Sequence, residues 1–286
     1  MAKKLIFRYV NGTLRPMWVD EEYETEKSTN KYMNEMLRNK GKVKDELKEK
    51  VNEETKKVEE RASNELKKFK KEEIDVKKVA ERGGLTEEEA KECVKVAEDV
   101  YREAEKNEPE ISKDLINSVE QVNGKMYGLD FRMKQPTSLA GKIGDDAKQG
   151  GISFEMAGKD IKDAVRYTMI LDEDNFVNSY NKIKNGLEAK GYKEVRLKNF
   201  YQMYQDGEAQ QKAIQCVYQN SNGYVFELQF HTNNSQGAKE LNHPLYEEWR
   251  NASTSQKRKE ELERKMINIG KNVRNPKNIM SIKSHK

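Results

Sequence analysis

The sequence has few of the residues that build disulfide frameworks, zinc sites or membrane spans. Its 286 residues include 2 cysteines and 3 histidines, and Cys93 and Cys216 stand 123 positions apart with no CxxC pair. This excludes a disulfide scaffold and a structural zinc site. No window approaches 18 uncharged apolar residues, so a membrane-spanning helix is excluded as well.

Apolar residues are also scarce. Hydrophobic residues make up 35% of the chain and charged residues 36%. A chain this polar cannot bury one core along its whole length, so part of it should be extended, solvated helix. The net charge of +4 is too small to indicate a nucleic-acid binder by itself. The first residues lack the apolar core of a signal peptide, which predicts a cytoplasmic site of action.

The first 110 residues divide into a hairpin and a charged arm. Residues 1–19 contain two β-like runs around Asn11-Gly12, the pair that favours a type I′ turn. Residues 20–110 are rich in Lys and Glu and predict a helical arm. Its first helical stretch should extend to about residue 81, because Gly83-Gly84 follows and breaks it. A capping box from Thr86 to Glu89 then predicts a second helix, which Pro109 should end.

Residues 111–280 differ from the arm in composition and in hydrophobic pattern. Glycines and aromatics appear, and short β-like runs alternate with helical ones, which predicts an α+β domain with a mixed β-sheet flanked by helices. A short tail, residues 281–286, follows. The expected strands lie at 125–131, 164–171, 192–197, 213–218 and 224–231, and the expected helices at 112–122, 138–147, 174–190 and 255–272.

Three motifs in this domain carry charged and polar groups. In the run from Gly223 to Thr232, alternation predicts one apolar side and a second side with Glu227, Gln229 and His231. An earlier segment has the pattern R-x-K-x-x-x-S-x-x-x-K, in which a hydroxyl near a helix start lies beside three cations and would suit a polyphosphate. The third motif is an apolar strand with an arginine near its start and acids just before it. The residues of the second and third motifs are Arg132, Lys134, Ser138, Lys142, Asp160, Asp163 and Arg166.

In this order, the three motifs resemble the synthetase domain of the RelA/SpoT family of nucleotide pyrophosphokinases, which has a nucleotidyltransferase-like fold. The resemblance covers roughly residues 111–280 and is closest to a divergent branch that reads RYT and LQFHT, found in toxin–antitoxin, phage and polymorphic-toxin proteins. It implies transfer of pyrophosphate from ATP to a 3′-hydroxyl, with Mg²⁺ as cofactor. The acceptor would be a free nucleotide, in an alarmone-type reaction, or the 3′ end of tRNA.

The resemblance also implies roles for individual residues. Arg132 and Arg166 would stack on the adenine, while Lys134, Ser138 and Lys142 would hold the triphosphate. Asp163 and Glu227 would bind Mg²⁺, with Asp160 as an alternative to Asp163 because the spacing to the strand arginine departs from the family pattern. Glu227 would also activate the acceptor hydroxyl. Gln229 and His231 complete the predicted catalytic set.

Two departures concern the acceptor. The stretch Gln211–Gln215 lacks the Tyr and Gly of the family's acceptor loop, and His231 stands where alarmone synthetases have arginine. Residues 257–286 carry ten Lys or Arg against three acids, an excess of seven. This stretch is either a solvated helix face or a contact surface for the phosphates of tRNA.

Two functions from different classes remain open at this stage. The first is a growth-inhibiting pyrophosphokinase toxin, whose partner through the helical arm would be an antitoxin, an immunity protein or a phage particle. The second is a catalytically degenerate structural or interaction protein of a phage or mobile element. The resemblance allows the chain to be a phage-particle or delivered protein, and the composition predicts no membrane partner.

Overall fold

The computed structural model describes residues 3–10, 13–20, 26–66, 69–207, 209–251 and 253–285, with residues 3–37 and 39 described by their backbone alone. The chain divides into two compact units, residues 1–49 and residues 50–286. The helices of the described part are α1 Glu26–Arg61, α2 Val76–Gly83, α3 Glu87–Glu120, α4 Pro136–Gly150, α5 Phe154–Lys159, α6 Phe176–Ala189, α7 Phe200–Gln205, α8 Asn233–Arg250 and α9 Gln256–Gly270.

The first unit contains a β-hairpin and the beginning of α1. Strands β1 (Lys3–Val10) and β2 (Thr13–Asp20) pair antiparallel, with Val10 opposite Thr13 and Lys3 opposite Asp20. The predicted turn at Asn11-Gly12 lies outside the described residues. Helix α1 begins in this unit and ends in the second, since the division falls at residue 50.

The prediction of helix up to residue 81 is wrong at residues 62–66 and 69–75, where the chain is not helical. Here the backbone bonds to the edge of strand β3 (Lys125–Tyr127) instead of to itself. Ser63 N donates to Met126 O at 2.9 Å, and Met126 N donates to the Asn64 side-chain oxygen at 2.8 Å. These contacts satisfy backbone N–H and C=O groups at the edge of β3, which a continuous helix would have left without partners.

Helix α3 begins where the sequence predicts, at a capping box in which Thr86 and Glu89 bond to each other's backbone N–H. The prediction that Pro109 ends this helix is wrong, because α3 continues to Glu120 with the proline inside it. Both halves bury an apolar face, including Cys93 before the proline and Leu115 after it, and this packing outweighs the hydrogen bond that proline removes. The predicted boundary at residue 110 therefore falls inside a helix.

The predicted α+β class is confirmed. In the described part of the second unit, five strands form a mixed sheet in the order β3-β4-β7-β6-β5, where β4 is Arg166–Ile170, β5 Lys193–Asn199, β6 Ile214–Gln219 and β7 Val225–His231. Only β4 and β7 pair parallel among these strands. The described part of the second unit is thus a mixed sheet flanked by helices.

The sheet has a core face and an outer face. The core face carries Phe226, Leu228 and Phe230, which are fully buried in one apolar cluster with residues of α3 and α6. The rings of Tyr180 and Phe230 meet edge to face, with centroids 5.2 Å apart. The outer face carries Glu227 and Gln229, as the alternation in the sequence predicts, and the candidate site lies there.

The end of the chain packs on strand β5. Leu197 and His285 exchange backbone hydrogen bonds of 2.9 and 3.0 Å, and the buried Asn199 amide donates to the carbonyls of Ile279 and Ile282. Residues 279–285 thus cover the outer edge of β5 in part. Among the described helices, none is long and apolar enough to cross a membrane.

Candidate functional site

The centre of the candidate site is the pair of parallel strands β4 and β7. Arg166 lies directly opposite Glu227, and Thr168 lies opposite Gln229. Directly opposed residues of neighbouring strands point to the same side of a sheet, so Arg166 and Glu227 share the outer face. Arg166 is exposed, and within the described part of the chain its guanidinium forms no hydrogen bond or ion pair. Glu227 is only 8% exposed.

Two amide side chains hold the Glu227 carboxylate. Gln215 on β6 donates to one carboxylate oxygen, and Gln229 on β7 donates to the other. The Gln229 oxygen accepts from Lys239 Nζ on helix α8 at 2.6 Å. Each carboxylate oxygen keeps a further lone pair, so the group is fixed in orientation and can still accept a proton or bind a cation.

His231 ends this row of polar groups and is fully buried. Its Nδ1 lies 3.0 Å from Ser235 Oγ, and its Nε2 lies 3.3 Å from the Gln229 oxygen. Burial, with a smaller contribution from the nearby Lys239 charge, holds the pKa of His231 well below its ordinary value. The imidazole is therefore neutral near pH 7, and its contacts orient Gln229 from the inner end of the row.

Lys134 and Asp163 form an ion pair beside the start of β4. Lys134 Nζ donates to Asp163 Oδ2 at 2.7 Å, while Asp163 Oδ1 is buried without a hydrogen-bond partner among the described residues. Burial lowers the pKa of Lys134, which Asp163 partly offsets. For Asp163, burial would raise the pKa, but Lys134, Lys142 and Arg166 outweigh it and lower the value. Asp163 is thus held ionised by cations.

The charge of Arg166 acts on both groups of residues. It lies close enough to influence the pKa of Asp163 and also that of Lys239, on which Glu227 acts as well. The two groups therefore form one charged surface, which we call the β4–β7 cluster. Its members are Lys134, Lys142, Asp163, Arg166, Glu227, Gln229 and Lys239.

Arg132 is not part of this cluster. Its side chain is buried, at 6% exposure, and its guanidinium donates to the Glu108 carboxylate on α3 and to Leu129 O. Glu108 in turn accepts from Ser112, whose hydroxyl lies 2.8 Å from the hydroxyl of Tyr167. Tyr167 faces the core, so the structure places Arg132 on the core side of β4.

The two other predicted residues lie at the periphery. Ser138 is exposed in the first turn of α4, one turn before Lys142, and therefore on the same helix face. Asp160 is exposed at the end of α5, and it is not among the main charges that act on Lys134.

Lys239 and Gln215 were missed by the sequence reasoning, although both contact predicted residues. A signal for Lys239 exists: Thr232 caps α8, so Ser235 and Lys239, four residues apart, share the helix face that follows β7. Gln215 carries no comparable signal. Its place opposite Gln229 depends on the register of β6 with β7, which the sequence does not fix.

The basic C-terminal helix α9 is partly internal. Leu262, Met266 and Ile269 are buried, and Arg258 pairs with Glu248 at 2.6 Å. Its exposed cations include Lys257, Arg264 and Lys265. The sequence-based prediction that this helix contacts tRNA stays a prediction.

The donor set is compatible with magnesium but does not form a complete cage. Among the described residues, no group of three or more His, Cys, Asp or Glu side chains is arranged to hold a metal. Mg²⁺ at phosphate-transfer sites is usually bound by one or two carboxylates together with substrate phosphates and water. The unpartnered Asp163 Oδ1 and the remaining lone pairs of Glu227 fit that role.

Comparison with known proteins gives little similarity. No family model matches the chain, and no curated protein matches its sequence. A chain from the crystal structure of the complex between the Type VI effector Tas1 and its immunity protein has 14% identity and a TM-score of 0.41. The match covers 62% of this chain and 96% of that one. A TM-score this low is too weak to transfer a fold or a function.

Proposed function

We propose that the protein is an ATP-dependent pyrophosphokinase that acts on the 3′-hydroxyl of a nucleotide or of tRNA. The observation that supports this best is the strand register, which places Arg166 directly opposite Glu227 on parallel strands. The two residues lie at the centre of a surface with three lysines. An unpaired guanidinium beside a fixed carboxylate and several ammonium groups is suited to bring a polyphosphate and a hydroxyl together.

In this proposal the cations bind the donor. Lys134 and Lys142, with the Ser138 hydroxyl, would contact the triphosphate oxygens. Arg166 has a free planar guanidinium, which would stack on the base or bind a phosphate through two N–H groups. Arg132 would have no direct contact with ATP, because its guanidinium is engaged with Glu108 on the core side.

Glu227 would act on the acceptor. The acceptor 3′-oxygen forms a bond to the β-phosphorus, the bond from that phosphorus to the α,β-bridging oxygen breaks, and AMP leaves. The hydroxyl proton goes to Glu227, whose carboxylate the two glutamines hold in a fixed orientation. Lys239, His231 and Ser235 would position Gln229 and act through it.

Magnesium would be held by Asp163 and Glu227 together with phosphate oxygens. When bound, the ion would neutralise negative charge on the triphosphate, which is its usual contribution to phosphoryl transfer.

We further propose that this activity inhibits growth, so that the protein acts as a toxin whose partner is an antitoxin or immunity protein. Transfer of pyrophosphate to a nucleotide or to a tRNA end consumes ATP and blocks the acceptor hydroxyl. Expression of the wild type should therefore arrest growth of a host cell, and expression of Glu227→Gln should not.

One observation favours the alternative, a catalytically degenerate interaction protein. Two of the cluster's lysines have carboxylate partners, Lys134 with Asp163 and Lys142 with Asp146 at 2.8 Å. A surface neutralised in this way would bind ATP weakly.

The deciding experiment is label transfer from γ-labelled ATP. The purified protein is incubated with Mg²⁺ and separately with GDP, GTP, ADP, ATP and uncharged tRNA, and labelled acceptor and AMP are quantified. We expect both products in equal amounts. Glu227→Gln should reduce the rate by orders of magnitude, because it removes the proton acceptor and a metal ligand.

The matched control is Glu240→Gln, which changes a half-buried carboxylate on α8 that bonds to Gln236. This variant should keep full activity. Failure of the wild type to label any acceptor, with ATP binding below detection, would favour the degenerate protein.

A further inference from the structure

Strand β5 carries a row of cations on the outer face of the sheet. Lys193, Arg196 and Lys198 lie opposite Gln219, Val217 and Gln215 of β6, which in turn lie opposite residues of β7 on the same face as Glu227. Lys193 and Lys198 are exposed, and Arg196 is half-buried. We call these three residues the β5 row.

The β5 row has no counter-charge among the residues whose side chains the structure describes. Within the described part of the chain, none of the three cations forms an ion pair or a side-chain hydrogen bond, and their cross-strand partners are uncharged. Like charges along one face of a strand repel each other, so a bound anion that neutralises the row would stabilise it.

The row lies level with the candidate catalytic carboxylate, because Arg196 is opposite Val217 and Val217 is opposite Glu227. Lys198 lies opposite Gln215, and Gln215 donates to Glu227. Two strand spacings, about 10 Å, separate β5 from β7, and the row itself extends about 16 Å along β5. This length exceeds a single nucleotide, since a stacked strand carries one phosphate per about 3.4 Å of axis.

We infer that the β5 row binds the phosphates of a single-stranded RNA end and directs its terminal 3′-hydroxyl to Glu227. This inference rests on the proposed function and names its acceptor class, a polynucleotide. The recessed position of Glu227, at 8% exposure, favours a single strand over a duplex, which is too wide to reach it. A membrane surface fits the row less well than RNA. The cross-strand neighbours Gln215 and Gln219 are polar, and strand β5 has no exposed aromatic residue that could enter a lipid layer.

The test compares binding by two sets of variants in the full chain. The probe is a fluorescein-labelled single-stranded RNA of about 12 nucleotides, titrated at several salt concentrations without ATP. Two β5 variants are compared. The double variant is R196Q/K198Q, which keeps Lys193 on the edge strand for solubility, and the triple variant adds K193Q. The variant K257Q/R264Q/K265Q on α9 tests the other candidate contact surface for RNA. Circular dichroism and thermal unfolding verify the fold of each.

We expect the triple β5 variant to weaken RNA binding on the order of 100-fold at 0.1 M salt and to reduce the slope of log K against log salt by about 2, the effect of three phosphate contacts on a single strand. The double variant should show about two thirds of that slope change. The α9 variant should bind like the wild type, and anionic phosphatidylserine vesicles should not bind in preference to RNA.

Several results would overturn the inference. Unchanged RNA binding in both β5 variants would mean that the cations only protect the sheet edge from aggregation. Loss of binding confined to the α9 variant would move the contact to the C-terminal helix, and preference for vesicles would replace RNA by a membrane surface.

The inference and the proposed function can fail separately. RNA binding through the β5 row, with no label transferred to any acceptor, would leave the inference standing and remove the proposed function. Label transfer to free nucleotides and to tRNA that the β5 substitutions do not change would leave the function and remove the inference.

Discussion

Two assignments of the Arg132 side chain conflict, one implied by the family resemblance and one by its contacts. The resemblance assigns it to stacking on ATP, whereas its guanidinium lies on the core side of β4 and donates to the Glu108 carboxylate. Both side chains are less than 10% exposed. Removal of one partner from a buried ion pair leaves the other charge uncompensated, which is usually more costly than loss of the pair.

Arg132→Met should therefore lower the free energy of unfolding by about 3–5 kcal/mol, measured by urea denaturation. The double variant Arg132→Met, Glu108→Leu should recover much of that loss. If the stacking role is correct instead, Arg132→Met leaves stability unchanged and raises the dissociation constant of ATP.

Lys239 provides a pH test of the β4–β7 cluster. Burial lowers its pKa to about 8, Glu227 opposes this shift, and Arg166 adds to it. Between pH 8 and the ordinary lysine pKa near 10.4, Lys239 is therefore protonated more fully in the unfolded chain than in the folded one. The contribution of Lys239 to the free energy of unfolding should rise with pH across this window and stay constant below it.

We expect the wild type to gain stability between pH 7.5 and 9.5 relative to Lys239→Gln, measured by urea denaturation at each pH. Lys257→Gln, which changes an exposed lysine, should follow the wild type. Parallel curves for the wild type and Lys239→Gln would contradict the burial of the Lys239 ammonium.

Helix α3 contains a destabilising proline. Pro109 lies inside the helix and is exposed, so it removes one backbone hydrogen bond without packing in the core. Pro109→Ala should raise the free energy of unfolding on the order of 1–3 kcal/mol, because a proline inside a helix costs about 3 kcal/mol and the unfolded chain offsets part of this. Differential scanning calorimetry would measure the gain. Glu110→Ala, at the exposed neighbouring position, should change stability by less than about 0.5 kcal/mol.

The elements that the sequence predicts well are those with strong local signals. The alternation in β7 and the capping box at Thr86 both depend on neighbours within a few residues. The break after Arg61, the continuation through Pro109 and the pairing of Arg132 with Glu108 depend on partners far along the chain. Local propensity cannot predict these, because tertiary packing decides them.

The candidate site divides in the same way. The sequence predicts Glu227, Gln229 and Arg166 as one group, and the register places them together on the outer face. It misses Gln215 and Lys239, whose contacts follow from strand register and from the docking of α8. The roles of these residues in catalysis stay predictions.

The second compact unit contains the principal apolar cluster, whose members all lie at Phe69 or later. A chain of residues 50–286 should therefore fold by itself, with a melting temperature within about 4 °C of the full chain, a shift that corresponds to 1–2 kcal/mol at this size. Circular dichroism would record the transition. Loss of a cooperative transition would contradict this division.

Removal of residues 279–286 serves as the control and should lower the melting temperature much more. It takes away the carbonyl partners of the buried Asn199 amide and the backbone bonds between Leu197 and His285. An unsatisfied buried donor costs about 1–3 kcal/mol, and the lost burial of Ile279 and Ile282 adds to it.

The strand order also sets when the site can exist during synthesis. Strand β7 is the last of the five in the chain, yet it lies in the middle of the sheet, between β4 and β6. Until it emerges from the ribosome, β3–β4 and β5–β6 are two separate strand pairs, and Arg166 has no Glu227 beside it. At usual elongation rates the 61 residues from 167 to 227 take about 3–12 s to make. Chains interrupted in this interval have Lys134, Lys142 and Arg166 but lack Glu227, and they therefore lack the proposed activity.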